Sequence, residues 1–165
     1  MSRLKGKVIV VTGAATGIGR GIAAACKEQG AEVVLVDINP DVETVAGEIG
    51  GTGLVLDVTA GDSAEEAVET AIREYGVITG LVNNAGRYDN CAFADMTYEI
   101  WRTAMALNLD GMFLACKAFA PGMRERGWGR IINIASNSTF LAPPGMAQYI
   151  ASKSGSIGLT RALAS

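Results

Sequence analysis

Short, continuously apolar runs rich in β-branched residues alternate with helical stretches along this chain, and this alternation restricts the fold more than any other feature. Strands buried on both faces show such uninterrupted runs, because helices cover both sides of a parallel sheet. Right-handed crossovers then predict an α/β fold, a doubly wound parallel sheet with a ligand crevice at the carboxyl ends of its strands. The predicted strands are Val8–Thr12, Glu32–Asp37, residues 53–58, the start of GLVNNAG, and residues 130–136.

Helices are expected between these runs. The predicted helices cover residues 17–29, Asp41–Ile49, residues 62–75, a long apolar stretch from near Thr97, and a last stretch from about Tyr149 to the end. Pro121 lies inside the long apolar stretch. Because proline lacks the N–H that a helix interior requires, we expect it to kink or end that helix.

A single domain, residues 1–165, accounts for the chain, because no repeat, low-complexity tract or linker interrupts the pattern. The net charge of −3 and the isoelectric point near 5.0 argue against binding to nucleic acid or to a membrane surface. No apolar run approaches the roughly 18 residues that span a bilayer, and the first residues do not read as a signal peptide. These observations predict a cytoplasmic protein.

The counts of histidine and cysteine restrict the chemistry. The chain has no histidine, which excludes Ser-His-Asp hydrolysis, Cys-His proteolysis and most zinc sites. The three cysteines, Cys26, Cys91 and Cys116, are widely spaced and odd in number, so reduced thiols are expected and no metal site. Any proton transfer must therefore use Tyr, Lys, Ser, Asp or Glu.

The first predicted strand runs into the glycine-rich loop TGAATGIG, which precedes a helix. Gly13 permits a tight exit from the strand, Gly17 lets the backbone approach a pyrophosphate, and Gly19 lets the helix pack close to the sheet. The same glycines also suit an ordinary tight turn. Asp37 ends the next strand, where an acid binds the adenosine ribose hydroxyls, and the pair predicts a Rossmann-type dinucleotide site.

Asp37 also bears on which dinucleotide binds. Its carboxylate can accept from a ribose 2′-hydroxyl group but repels a 2′-phosphate. Neither Thr16 nor Ile38, its expected neighbours at the site, is a basic residue that could neutralise a phosphate. NAD is therefore the predicted cofactor, although a capping or solvated acid is the alternative reading of Asp37.

Six motifs follow one another in a specific order. They are TGAATGIG, LDV at residues 56–58, NNAG at residues 83–86, Asn108, Ser136 and YIASK at residues 149–153. In this order the chain resembles the N-terminal two thirds of the classical short-chain dehydrogenases/reductases. The resemblance implies an oxidoreductase that transfers hydride between NAD(H) and a small alcohol or ketone, working as a homo-oligomer, a dimer or tetramer.

The resemblance also implies catalytic roles. Tyr149 and Lys153 stand at positions i and i+4, on one face of a helix, so the lysine ammonium would favour the phenolate and make the tyrosine a general acid/base. Lys153 would also hold the nicotinamide ribose. Ser136 would bond the substrate oxygen, with Ser138 as its rival, and Asn108 would hold a water that relays the proton from Lys153.

Without the resemblance these residues have plainer explanations. Tyr149 and Lys153 could form a solvated surface pair, Ser136 could belong to a polar turn, and Asn108 could be a satisfied buried amide. The wider cofactor set implied by the family adds Thr16, Ile18, Ile38, Asp57, Val58, Asn84, Ala85 and Gly86, while Asn83 is expected to be chiefly structural. Substrate could be flanked by Tyr88, Phe93, Phe140, Leu141, Pro143 and Met146.

One departure from the family concerns length. Its members are longer, and this chain stops within the helix that carries Tyr149 and Lys153, before the sixth and seventh strands and the substrate lid. In the family's strand order 3-2-1-4-5-6, residues 130–135 would become an edge prone to association. We therefore expect a truncated domain whose substrate cannot be read. The alternative function is a truncated NAD-binding module with little or no catalytic activity.

Overall fold

The computed structural model describes residues 2–164, which form one parallel five-stranded sheet flanked by helices. The strands are β1 (Val8–Thr12), β2 (Glu32–Asp37), β3 (Thr52–Val55), β4 (Gly80–Asn83) and β5 (Arg130–Asn133). Their order is β3-β2-β1-β4-β5, and every neighbouring pair is parallel. The predicted Rossmann-type fold is therefore confirmed.

The helices follow the predicted alternation. They are α1 (Gly17–Glu28), α2 (Asp41–Ile49), α3 (Ser63–Tyr75), α4 (Tyr98–Met105), α5 (Gly111–Glu125), α6 (Ser138–Leu141) and α7 (Ala147–Leu163). A 3-10 turn spans Phe93–Asp95, and a π-helical turn, Ala106–Asp110, joins α4 to α5. No helix within residues 2–164 is long and apolar enough to cross a membrane.

Two apolar cores, one on each face of the sheet, explain the continuous apolar strands. Alternate residues of β1 point to opposite faces, so Ile9 and Val11 belong to one core and Val10 to the other. Residues of α1 and α2 complete the first core, and residues of α3 and α5 complete the second. The strand β5 is different: within the described chain it pairs with β4 alone, and Ile132 is 53% exposed.

Two strands are shorter than predicted. The strand β3 ends at Val55 rather than residue 58, because Asp57 accepts hydrogen bonds from the backbone N–H and the hydroxyl group of Thr59, which turn the chain out of the sheet. The strand β5 ends at Asn133 rather than residue 136, where the serine-rich turn begins. In both cases a polar side chain near the predicted end, Asp57 or Ser136, accepts a hydrogen bond from a backbone N–H two residues further on, which is typical of a turn.

Pro121 does not end the long helix. The helix α5 continues four residues past it, to Glu125, so of the two predicted outcomes, a kink or a helix end, the helix end was wrong. Proline removes the hydrogen bond to the carbonyl of Lys117, yet Phe119 and Met123 on either side are buried against the sheet. That packing outweighs the loss of one helical hydrogen bond.

Candidate active site

The glycine-rich loop between β1 and α1 has the geometry that its sequence predicts. Gly13 has φ +65°, and a Cβ atom there would lie 2.8 Å from Cα of Ala85. A Cβ atom at Gly19 would collide with the carbonyl group of Gly13. Gly17, at φ +55°, instead faces open space. Gly13 and Gly19 thus permit close packing, while Gly17 leaves room for a ligand.

The N-terminus of α1 carries unsatisfied donors. First-turn N–H groups have no partners within a helix, and Thr16 at the N-cap makes no capping bond with its side chain. Ile18 is 70% exposed at the same end. Such a terminus attracts the negative charge of a phosphate group.

Asp37 is tied to this loop. Its Oδ2 accepts from the backbone N–H of Ala15 at 2.9 Å, and its Oδ1 accepts from that of Asn39 at 3.0 Å. Each carboxylate oxygen retains a second lone pair for a ligand hydroxyl group. The side chain therefore also fixes the shape of the glycine-rich loop, a role that sequence reasoning missed.

The segment after β4 is held against the same loop. The hydroxyl group of Thr12 accepts from the backbone N–H groups of Asn84 and Ala85, at 3.1 and 3.0 Å. Nδ2 of Asn84 donates to the carbonyls of Thr12 and Gly13. Nδ2 of Asn83 donates to Oδ1 of Asn133 at 2.8 Å, joining β4 to β5. The carboxyl ends of these strands thus form one rigid wall.

A cleft of about 400 Å³ opens at this edge of the sheet. Most of the predicted cofactor residues line it, namely Gly13, Thr16, Asp37, Ile38, Asp57, Val58, Asn84, Ala85 and Gly86. Gly17, Ile18 and Gly19 lie beside it in the loop and in the first turn of α1, outside its lining. Tyr149 and Lys153 are not part of that lining either.

Lys153, on α7, lies next to Gly86 of the cleft lining. It is 3% exposed, and its Nζ donates to the carbonyl of Ile134 at 2.7 Å. Burial lowers the pKa of Lys153 from its usual value. The same Nζ lies 5.8 Å from the centroid of the Tyr149 ring, as expected for positions i and i+4. A buried cation therefore lies close to the tyrosine.

Gly86 brings the cleft and the lysine together. A Cβ atom at this position would lie 2.6 Å from Oδ1 of Asn108 and 3.4 Å from Nζ of Lys153. The backbone φ here is not positive, so the need for glycine is one of space alone. Three residues that are far apart in sequence meet at this point.

Asn108 is almost fully buried in the π-helical turn. Its Oδ1 accepts from the backbone N–H of Arg87, and its Nδ2 donates to the carbonyls of Arg87 and Ala104. Both side-chain N–H groups are therefore engaged, so a relay water at Asn108 would have to donate to one of its oxygens. π-Helical turns occur frequently at functional sites.

The two serines differ in what their hydroxyl groups can still do. Ser138 is 5% exposed and donates both its hydroxyl group and its backbone N–H to Oγ of Ser136. Ser136 is half-buried, and as the acceptor of both bonds it keeps its own proton. This arrangement leaves the hydroxyl group of Ser136 free to donate to a ligand, whereas the bonds from Ser138 hold that hydroxyl group in position.

The ring of Tyr149 packs against that of Tyr88, with centroids 5.8 Å apart and planes tilted by 56°. Within residues 2–164 its hydroxyl group has no hydrogen-bond partner. The phenol is therefore available to a ligand.

A sequence profile described as short chain dehydrogenase matches residues 7–165. The chain belongs to the short-chain dehydrogenase family. The family membership predicted from the ordered motifs is thus confirmed.

Curated members of the short-chain dehydrogenase family are similar along almost the whole chain. A D-threitol dehydrogenase of Mycolicibacterium smegmatis is 38% identical over 98% of this chain and 65% of its own length. A D-xylose 1-dehydrogenase of Caulobacter vibrioides is 39% identical over 98% and 66%. A 3-oxoacyl-[acyl-carrier-protein] reductase of Thermotoga maritima is 36% identical over 96% and 67%. The chain spans about two thirds of the length of these relatives.

The cleft of this short-chain dehydrogenase fits a nicotinamide dinucleotide. Gly17 leaves open space in the glycine-rich loop, and the α1 N-terminus offers positive partial charge to a pyrophosphate. Asp37 and Asp57 line the cleft with carboxylate acceptors, the groups that adenosine hydroxyl and amino groups would require. The donor and acceptor set therefore suits the cofactor.

Sequence reasoning named Tyr88 alone as a candidate site residue from the loop of residues 87–91 and missed the contacts that hold this loop in place. Nε2 of Gln148 donates to the carbonyl of Asp89 at 2.7 Å, and the N–H of Cys91 donates to the carbonyl of Gly145. Together with the bonds between Arg87 and Asn108, these contacts fix the loop next to Tyr149. The partners are up to 59 residues apart, and no local pattern signals such pairs.

Proposed function

We propose that this protein is an NAD-dependent oxidoreductase that moves hydride between the cofactor and a CH–OH or carbonyl group of a small molecule. The observation that carries the proposal is the meeting of Gly86, Asn108 and Lys153 at the end of the glycine-lined cleft. An ordinary surface pair of Tyr149 and Lys153 would not bury the ammonium group to 3% exposure. Burial of a charged group costs free energy, so a buried lysine at this position favours a functional role.

The cofactor preference rests on Asp37. The carboxylate is fixed by two backbone N–H groups and lines the cleft beside Thr16 and Ile38, neither of which is basic. A ribose 2′-hydroxyl group can donate to it, whereas a 2′-phosphate would meet an unneutralised like charge. NAD is thus favoured over NADP.

Proton transfer is assigned to the groups around Tyr149. The bound nicotinamide supplies or accepts the hydride, which is the difficult step. The Ser136 hydroxyl group donates to the substrate oxygen as charge develops there, and Tyr149 gives or takes the proton at that oxygen. The ammonium group of Lys153 stabilises the phenolate, and its bond to the Ile134 carbonyl holds it in position.

Two features of the whole protein belong to the same proposal. We place it in the cytoplasm, because three free thiols are typical of a reducing compartment. We also propose a homo-oligomer formed through the long helices. Phe113 on α5 is 48% exposed, and Trp101 and Met105 on α4 are half-buried. In this proposal a second copy covers these apolar side chains.

The decisive experiment compares the protein with its Tyr149→Phe variant. NAD(H) binding is followed by tryptophan fluorescence, and turnover of a panel of alcohols and carbonyl compounds is followed by the absorbance of reduced nicotinamide. We expect the variant to bind NAD(H) as the parent does, because Tyr149 is not part of the cleft lining, and to lose turnover by orders of magnitude. Absence of NAD(H) binding in the parent, or full turnover in the variant, would refute the proposal.

A further inference from the structure

A second cavity, of about 380 Å³, lies beside Tyr149. It shares Arg87 and Leu107 with the cofactor cleft, so the two spaces are neighbours. Its walls come from the loop of residues 87–91, from α4 and from the start of α7. The volume suits a small molecule. A molecule held here would lie next to the tyrosine and to the cofactor cleft.

The charged groups of this cavity are Arg87, Asp89 and Glu99. Nε and Nη2 of Arg87 donate to the same carboxylate oxygen of Asp89, at 3.0 and 2.9 Å, so the cation is already paired. Glu99 has no ion-pair partner within residues 2–164. The lining therefore carries one net negative charge and offers no free cation to an anionic ligand.

The wall of this cavity contains several hydrogen-bond acceptors. Oε1 of Gln148 is buried and has no hydrogen-bond partner within residues 2–164, although Nε2 of the same amide is bonded to Asp89. The carboxylates of Asp89 and Glu99 are acceptors only. Tyr88 adds an aromatic ring that is 63% exposed and packs beside Tyr149. The acceptors can pair with the hydroxyl groups of a polyhydroxy ligand, and the aromatic ring can contact the C–H groups that lie between those hydroxyl groups.

We propose that this cavity selects neutral, hydroxyl-rich substrates over anionic ones, and that the Asp89 carboxylate sets the selectivity by pairing with Arg87. The proposal rests on the proposed dehydrogenase function for its reaction and adds the class of substrate. Without Asp89, Arg87 would become a free cation beside Tyr149, and carboxylate-bearing ligands would gain a partner.

The test uses two ligands with one carbon skeleton, a pentitol and the corresponding aldonate, which differ in charge. Their affinities for the protein are measured by saturation-transfer NMR at low ionic strength, with and without NAD. The variants are Asp89→Asn and Glu99→Gln, each of which removes one negative charge from the cavity wall. The matched control is Glu32→Gln, which breaks the Lys27–Glu32 ion pair of 2.7 Å remote from the cavity. Thermal melting checks that each variant folds.

We expect the parent to prefer the pentitol by about threefold or more, because exposed charges contribute modestly. Asp89→Asn and Glu99→Gln should shift the ratio towards the aldonate by about two- to fivefold, an effect that weakens at high salt, while Glu32→Gln leaves it unchanged. Equal or tighter aldonate binding by the parent overturns the proposal. The proposal is also overturned if Asp89→Asn and Glu99→Gln change the ratio of pentitol to aldonate affinity no more than Glu32→Gln does.

The two proposals fail separately. If NAD(H) binds and neither ligand does, the substrate class is wrong and the dehydrogenase proposal stands. If NAD(H) fails to bind while the pentitol keeps its preference, the dehydrogenase proposal falls and the selectivity of the cavity stands.

Discussion

The substitution Gly86→Ala tests the convergence on which the proposed function rests. The added Cβ atom would lie 2.6 Å from Oδ1 of Asn108, closer than real Cβ atoms approach, and 3.4 Å from Nζ of Lys153. Neither neighbour moves freely. Asn108 is held by three hydrogen bonds to the backbone of Arg87 and Ala104, and Lys153 by its bond to Ile134.

The magnitude follows from these contacts. Overpacking of a well-packed site by one carbon costs about 1 to 3 kcal/mol. Displacing Asn108 would also weaken hydrogen bonds that each contribute about 0.5 to 1.5 kcal/mol net. We therefore expect the free energy of unfolding to fall by about 1 to 3 kcal/mol. NAD(H) affinity should fall as well, because Gly86 lines the cofactor cleft.

Chemical denaturation with urea gives the change in unfolding free energy, and cofactor titration gives the affinity. Gly158→Ala is the matched control: Gly158 lies on the exposed side of α7, with nothing within 4 Å of an added Cβ atom. It should stabilise the protein by up to about 1 kcal/mol, since alanine is the better helix former. A Gly86→Ala variant as stable as Gly158→Ala, with unchanged cofactor affinity, would refute the reasoning.

Three other predictions concern the cofactor, the buried lysine and the assembly. Asp37→Ala combined with Ile38→Arg should narrow or invert the preference for NAD(H) over NADP(H) in fluorescence titrations; an unchanged ratio would contradict the role of Asp37. Burial lowers the pKa of Lys153, so the unfolded chain binds its proton more readily. The stability of the parent relative to Lys153→Met should therefore rise with pH between the lowered pKa and the usual one, in urea unfolding at several pH values; a flat difference would argue against a buried ammonium. Light scattering at micromolar concentration should show an oligomer, and Phe113→Lys should weaken it; a monomeric parent would contradict the proposed interface.

The sheet could be predicted because its signals are local. The strands β1 and β2 and the helix α2 begin and end where the apolar runs and the flanking Gly, Asp and Pro residues indicate. The errors at the ends of β3 and β5 have the opposite origin. Asp57 and Ser136 form turns through hydrogen bonds between their side chains and nearby backbone N–H groups, which an apolar pattern does not reveal.

The candidate site could be predicted only in part, because its residues are joined by contacts between distant segments. The glycine-rich loop and Asp37 were identifiable from spacing, because the loop follows β1 and Asp37 ends β2. The dependence of that loop on Asp37, and the proximity of Gly86 to Asn108, arise only once β1, β2 and β4 stand side by side. The same holds for Gln148 and its partner Asp89, whose bond links the start of α7 to the loop of residues 87–91 with no shared sequence pattern.

The π-helical turn at Ala106–Asp110 makes the chain from Tyr98 to Glu125 a helix with a phase shift. A π turn contains one residue more than the α-helical ladder needs, so the side chains after it are rotated about the axis relative to those before it. The half before the turn contacts α7, while the half after it contacts α3 and the sheet. Deleting one residue within the turn would restore a regular ladder, and only one half could then keep its partner. The single extra residue thus lets one half of a continuous helix pack against α7 and the other half against α3 and the sheet.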